Sequence, residues 1–405
     1  MDVTTTEEFR SEVIAWVAER YPDALRSAEV DADEAYLGGT TATFPSHAAR
    51  RWMDEMSERG WVAHTWPAHL GGAGLDPARA RVLAEELARA GCRPPLVSVH
   101  GLGMIGPALL EFGTPEQQAR FVPDIAAGRV RWCQGFSEPG AGSDLAGLST
   151  RAVRDGDEYV VTGQKVWTSF ADESDWIFAI VRTDPAAPKR DGLSFLLVDL
   201  RSPGIEVRPI ALISGRSEFC EVFFDGVRVP VNQRLSDEGQ GWAVTRFILG
   251  KERQLLGQNT GFGGGRLGAR ELIGLARRRR GCPAGTLPDA AVRSALAEAD
   301  IEEECARALV RNAGGRSPGA GPLHPSVVKL TMSAMMQHQA DLAVELSGLG
   351  GLGWDGDAYG DDELAVARDY LYSKAWTIGG GSSEIQRNLI ARQVLELPHL
   401  GPEEP

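Results

Sequence analysis

The sequence predicts an α+β fold, with an N-terminal helical bundle, a central antiparallel β domain and a C-terminal helical bundle. Two observations predict it. Helix-period patterning occupies the first third of the chain and returns from Gly241 to the end. Between them, from about Arg131, short β-branched and aromatic runs alternate with Gly, Pro and Asp turns, and no helical period intervenes. The expected domains are 1–130, 131–238 and 239–405.

Taken in order, Thr6-Glu7-Glu8-Phe9 opens a helix with Phe9, Val13, Ile14, Trp16 and Val17 on one face. Trp66 to Gly74 is a turn-rich connector, and Ala78 to Ala90 is a helix that stops before Gly91. Pro94 to Phe112 is the least polar run, but His100 and several Gly and Pro make it buried helix rather than a membrane span. Thr114-Pro115-Glu116-Gln117 is a helix start, with Thr as cap, Pro first and Gln third. Strands are expected at Tyr159–Thr162, Trp176–Val181, Leu193–Val198 and Glu221–Phe224. Gly314 to Pro325 reads as a loop between two long helices, and the chain after Leu397 as a frayed tail.

A chain of 405 residues suggests two or three domains with ample core. A net charge of −14 argues against nucleic-acid binding. Five scattered Cys with no C-x-x-C pair argue against a disulfide framework or a metal site, and fit a reducing cytoplasm. Asp2, Glu7 and Glu8, with no apolar stretch, leave no signal-peptide pattern at the N-terminus.

Three segments carry the chemistry. Gly135-Phe136-Ser137-Glu138-Pro139-Gly140-Ala141-Gly142-Ser143-Asp144-Leu145-Ala146-Gly147 is either an Asx/Gly turn or a loop whose hydroxyls and backbone N–H groups approach an anionic or planar ligand. Gly163-Gln164-Lys165-Val166-Trp167-Thr168-Ser169 ends a strand, where a Trp is commonly a β-core aromatic. The third is the tail, Thr377-Ile378-Gly379-Gly380-Gly381-Ser382-Ser383-Glu384-Ile385-Gln386-Arg387.

Together these segments resemble the acyl-CoA dehydrogenase family. The first is similar to its Thr/Ser-Glu-Pro-x-Ala-Gly-Ser-Asp signature. The second is similar to Gly-x-Lys-x-Trp-x-Thr, with Ser169 for the Thr. The third is similar to Tyr-Glu-Gly-Thr-Ser-Glu-Ile-Gln. The likeness covers essentially the whole chain, including the Trp66-Pro67 and Gly113–Gln117 connectors. It implies the acyl-CoA dehydrogenase fold, whose C-terminal part is a four-helix bundle, and an FAD cofactor. It further implies Gln134, Phe136 and Ser137 at the flavin ring, Gly142 and Ser143 at the phosphates or the thioester arm, and Trp167 and Ser169 about the ring. Ser382 and Glu384 of the tail would also meet the cofactor.

The resemblance also raises the question of the base. Desaturating an acyl thioester removes an α-proton, so a carboxylate must sit close to the α-carbon. In many members the first Glu of the tail motif does this, but Gly380 stands there instead. Its N–H can still donate to the thioester oxygen. Members similar to the isovaleryl and long-chain types have Gly in the tail and carry the Glu on the helix after the β domain. Gly250-Lys251-Glu252-Arg253-Gln254 falls at that position. Taken alone, a Lys-Glu-Arg triplet is an exposed helix turn. Paired with Gly380, Glu252 becomes the expected base, with Arg253 positioning the substrate. Burial beside flavin and acyl chain is expected to raise its pKa.

Two motifs depart from the family pattern. Arg-x-Thr-Phe-Gly, which grips a neighbouring subunit's cofactor, is replaced by Arg277-Arg278-Arg279-Arg280-Gly281-Cys282-Pro283. Arg279 aligns best there, and a cationic helix end explains the run equally well. Gln-x-x-Gly-Gly-x-Gly becomes Ser347-Gly348-Leu349-Gly350-Gly351-Leu352-Gly353, leaving Ser347 and Gly351 for the cofactor's ADP half. The ring side is thus kept and the neighbour-facing side weakened, as in heteromeric members of the family.

The expected activity is FAD-dependent α,β-dehydrogenation of an acyl-CoA or carrier-bound acyl thioester, within lipid metabolism. Glu252 would take the α-proton, and flavin N5 the β-hydride. Electrons would pass to an electron-transferring flavoprotein. The expected assembly is a homodimer or homotetramer, or a heterotetramer with a homologous subunit, without nucleic acid or membrane partners. The alternatives are a flavin-dependent oxidase or monooxygenase on the same fold, against which Glu252 argues, and a non-catalytic partner subunit.

Overall fold

The computed structural model describes residues 3–26, 35–257, 267–279, 286–312 and 323–398. The chain forms two compact units. One comprises Met1–Pro209 and Phe219–Ile248, the other Ile210–Glu218 and Leu249–Pro405.

The first unit begins with helices α1 (Val3–Arg20), α2 (His47–Glu58), α3 (Pro77–Arg89), α4 (Gly106–Phe112) and α5 (Pro115–Ala126). Val13, Trp16 and Val17 of α1 pack with Trp52, Met56, Trp61 and Leu83 in one core. Ile14, expected on that face, is 49% exposed. One residue on from Val13 is a 100° turn, which carries it out of the stripe. The Thr114 cap forms as the sequence requires: its Oγ1 accepts from Gln117 N–H at 3.3 Å, and Gln117 Oε1 accepts from Thr114 N–H at 3.1 Å. Gln117 Nε2 then donates to the carbonyls of Asn232 and Arg234, tying α5 to the end of the sheet. The least polar run is helical over 99–112, with Met104, Ile105, Ala108 and Leu109 fully buried. Trp66 of the connector lies against Gly106, where a Cβ would come within 2.2 Å of the indole.

The sheet follows: β1 (Trp132–Gly135), β2 (Arg151–Asp155), β3 (Glu158–Ser169), β4 (Trp176–Arg182), β5 (Leu193–Asp199), β6 (Ile205–Ile210), β7 (Phe219–Pro230) and β8 (Arg234–Leu235). All four expected strands lie within these. Their order is β6-β7-β3-β2-β4-β5-β8, with β1 on β4. The pairs β2–β3, β3–β7, β4–β5 and β5–β8 are antiparallel, as expected. Two pairings depart from that: β1 runs parallel to β4, and β2 meets β4 in parallel at Arg151 and Arg182. The long excursion through loop 136–150 and the β2–β3 hairpin allows this, since a parallel pair needs a long return rather than a tight turn.

Helix α6 (Gly241–Gly257) follows, and then α7 (Ala269–Arg279), α8 (Ala290–Asn312), α9 (Pro325–Ser347), α10 (Asp361–Ser373) and α11 (Ser383–Gln393). In the second unit α9 is central and packs against α7, α8, α10 and α11. Leu272, Leu275, Leu296, Leu342, Leu346 and Val366 form its core. The expected 314–325 loop, the frayed tail beyond Leu397 and the Arg280–Pro283 stretch lie wholly or mostly outside the described residues. Among the described residues, no helix is long and apolar enough to cross a membrane, and no His, Cys, Asp or Glu cluster could hold a metal.

Candidate functional site

In the first unit the site starts from a buried ion pair. Lys165 on β3 is sealed from solvent, and its Nζ stands 2.9 Å from Glu138 Oε1 and 3.1 Å from the Phe136 carbonyl. Glu138 also accepts from Ser149 N–H at 2.6 Å and Thr150 N–H at 2.9 Å. Burial raises the Glu138 carboxyl, but Lys165 and these donors outweigh it and hold it at about 2. Burial pushes Lys165 down to about 8, against the pull of Glu138. The carboxylate's anchoring fixes loop 135–147 from below. Above it, Gly140 and Gly142 face open space, and Ser143 is exposed.

Phe136, expected at the flavin ring, turns its side chain into the core against Phe178 and Phe195, with centroids 5.9 and 6.0 Å away. Gln134 and Ser137 beside it are half-buried. Ser137's carbonyl accepts from Val166 N–H at 2.9 Å, which joins the loop to β3.

Two register shifts interrupt β3 against β7, one between Val161 and Gly163 and one between Lys165 and Thr168. At the first, a Cβ on Gly163 (φ +153°) would meet Thr150 Oγ1 at 2.5 Å. At the second, Trp167 takes a left-handed φ of +60°. The bulge swings its indole outward, 56% exposed and edge-on to Phe219. Trp167 is therefore not a core aromatic. Next to it, Thr168 Oγ1 is buried with no hydrogen-bond partner among the described residues, and Ser169 is buried. An exposed indole, an orphaned hydroxyl and an open glycine loop suit a planar heterocycle with a polar edge and a phosphate arm.

In the second unit, Glu252 of α6 is 9% exposed rather than on an open helix turn. It acts on Lys329 of α9, which is itself buried. Lys329 Nζ donates to the Gly381 carbonyl at 2.8 Å, and Gln386 Nε2 to the Gly380 carbonyl at 2.9 Å. Lys329 thus joins the tail glycines, and the Glu252 charge acts on it. Ser382 caps α11 by accepting from Ile385 N–H at 3.4 Å. Glu384 is exposed in the first turn, its carboxyl lowered by its own backbone N–H and the Ser382 hydroxyl. The side chain of Arg253 lies outside the described residues.

Arg279 does not stand open for a ligand. It pairs with Glu363 of α10 at 2.7 Å and approaches Asp362 at 3.9 Å. Glu363 also fills the space a Cβ on Gly350 would need. Ser347 Oγ is buried with no partner among the described residues, and Gly351 is packed against Val344. Sequence reasoning missed Lys329, Glu363 and the Glu138–Lys165 pair. Both residues of that pair stand in the motifs, but nothing local marks them as partners.

The acyl-CoA dehydrogenase N-terminal, middle and C-terminal domain families match residues 4–129, 133–227 and 239–395. Acyl-CoA dehydrogenase IpdE1 of Mycobacterium tuberculosis is 38% identical over 395 residues, covering 97% of this chain and 98% of that protein. The structure titled Tcur3481-Tcur3483 steroid ACAD is similar at a TM-score of 0.72 and 27% identity, over 98% of this chain and 99% of that one. The ChsE4-ChsE5 complex from Mycobacterium tuberculosis is similar at 0.70 and 28%, over 98% and 99%.

Proposed function

The chain belongs to the acyl-CoA dehydrogenase family, and from that premise we propose that it carries FAD and desaturates an acyl-CoA between its α- and β-carbons. Loop 135–147, Trp167, Thr168 and Ser169 would hold the cofactor. The indole would cover the ring, the Thr168 and Ser169 hydroxyls would meet its polar edge, and the Gly142–Ser143 backbone would meet phosphate oxygens. When bound, the flavin supplies the acceptor for the hydride lost from the β-carbon.

The chain's own residues would do the rest. Glu252 takes the α-proton as a carboxylate. Gly380 N–H donates to the thioester oxygen as charge develops there. Arg253 would position the acyl chain or its carrier. The observation that supports this reading is the burial of Glu252, whose charge acts on a lysine bonded to the tail loop. Exposed Glu384 also acts on that lysine, so burial is what sets Glu252 apart. The test is Glu252→Gln in the flavin-loaded protein: flavin content stays, and reduction by acyl-CoA is lost.

For the acyl group we propose a bulky, steroid-type thioester. This rests on similarity to a structure named as a steroid ACAD and on Gly380 standing in the tail where many members carry the Glu. Faster flavin reduction by a steroid-acid CoA than by butyryl-CoA would support it, and the reverse order would exclude it. The reduced protein would pass electrons to an electron-transferring flavoprotein, so slow reoxidation in air is expected.

For the assembly we propose a heteromer with a homologous chain, which would be a soluble tetramer in the cytoplasm. The support is that Arg279, the best-aligned arginine, is engaged by Glu363, and that Ser347 stands where the family carries Gln. Full flavin loading of this chain purified alone would overturn that.

A further inference from the structure

We infer that Lys329 is a positioning residue: its ammonium group couples the tail loop bearing Gly380 to the charge on Glu252. This rests on the reading of Glu252 as the base.

Lys329 sits on α9 and is 3% exposed. A lysine is almost never buried unless paired. Its partner is unusual, a backbone carbonyl in the tail: Nζ donates to Gly381 O at 2.8 Å. Gln386 Nε2 donates to the carbonyls of Gly380 and Gly381 at 2.9 and 3.3 Å. Both glycines are left-handed, at φ +67° and +97°. A side chain at Gly381 would collide with Gln386, since a Cβ would stand 2.6 Å from its Nε2. Both carbonyls are tied, so the two peptide groups that follow the Gly380 N–H are held in place.

The charged groups acting on Lys329 are Glu252 from α6 and Glu384 from α11. Burial drives its pKa down to about 8, and the two carboxylates pull it back up. Glu384 is exposed and screened by solvent, so the buried Glu252 is the stronger partner. Other charges along α9 are engaged further on: His338 with Glu302 of α8, and Asp341 with Lys374. A cation whose charge acts on Glu252 favours its ionised form, the form a base needs. One ammonium group therefore serves both the proton acceptor and the loop that carries the oxyanion donor.

The test uses the flavin-loaded full chain. In Lys329→Met, amide hydrogen exchange of the Gly380–Ser383 segment is expected to rise about tenfold, from loss of one charge-assisted bond. Melting temperatures of Lys329→Met, Glu252→Gln and the double variant are expected to be non-additive, the double losing less than the sum. In turnover of a steroid-acid CoA, Lys329→Met is expected to move the acid limb of kcat/KM up by about one pH unit. Lys329→Arg would restore the limb, which a purely structural lysine would not require. If Lys329→Met does not fold, Lys329→Arg carries the exchange test, with the loop loosened and the limb kept. Unchanged exchange or an additive cycle overturns the inference. A Glu252→Gln protein that still turns over sinks the base reading itself, and the cycle then decides the positioning role separately.

Discussion

Lys165 and Glu138 form an ion pair with both partners buried, Nζ to Oε1 at 2.9 Å, beneath the loop read as the cofactor cradle. Breaking such a pair strands a buried charge, so Lys165→Met is expected to cost about 3–5 kcal/mol. Lys165→Met combined with Glu138→Leu should cost less than the sum, because neither charge is left alone. Chemical denaturation of the three variants measures this.

The same carboxylate sets an acid limit. Its folded pKa of about 2 lies below its ordinary value of 4.5. A lowered acid pKa contributes stability that is full above the ordinary value and lost as pH falls toward the folded one. The contribution is on the order of 3 kcal/mol and disappears between pH 4.5 and 2. A melting-temperature series across that window should fall more steeply for the native chain than for Glu138→Gln.

Trp167 is held in a conformation that its side chain disfavours, with its indole mostly in solvent. A left-handed non-glycine residue costs about 1 kcal/mol or more. Trp167→Gly is therefore expected to leave the flavin-free protein as stable or stabler. If the indole covers the ring, the same change should weaken flavin binding about fivefold, the value of one aromatic contact. Thermal melts without flavin and flavin titration separate the two effects.

Arg279 is already engaged by Glu363 at 2.7 Å. Arg279→Ala is expected to leave the flavin bound per chain unchanged. A drop in flavin content would show that the guanidinium does serve a cofactor, and would count against the heteromer reading. Because the pair is partly exposed, the stability change should stay below about 1 kcal/mol.

Much of this was legible in the sequence because the signals are local. The Thr114 cap, the four strands and the three glycine-bearing segments are set by residues within a few positions of each other. What was not legible depends on distant partners. The Lys251-Glu252-Arg253 triplet alone reads as surface, and only its pairing with Gly380 points to the burial that Glu252 shows. Lys329 stands in none of the motifs, and its hydrogen-bond acceptor comes from the return of the chain at Gly381. The neutralisation of Arg279 needs α10, far along the chain. The parallel β1–β4 pairing follows from the path of an intervening hairpin, which residue patterning does not encode.

The proposed chemistry turns on Glu252 as the base. Its most direct test is anaerobic, stopped-flow reduction of the bound flavin by a steroid-acid CoA, native chain against Glu252→Gln. Equal flavin content, comparable thioester binding and a fall of about 10³-fold or more in the reduction rate are expected. Reduction of the Glu252→Gln protein at the native rate would contradict that role and move the base elsewhere.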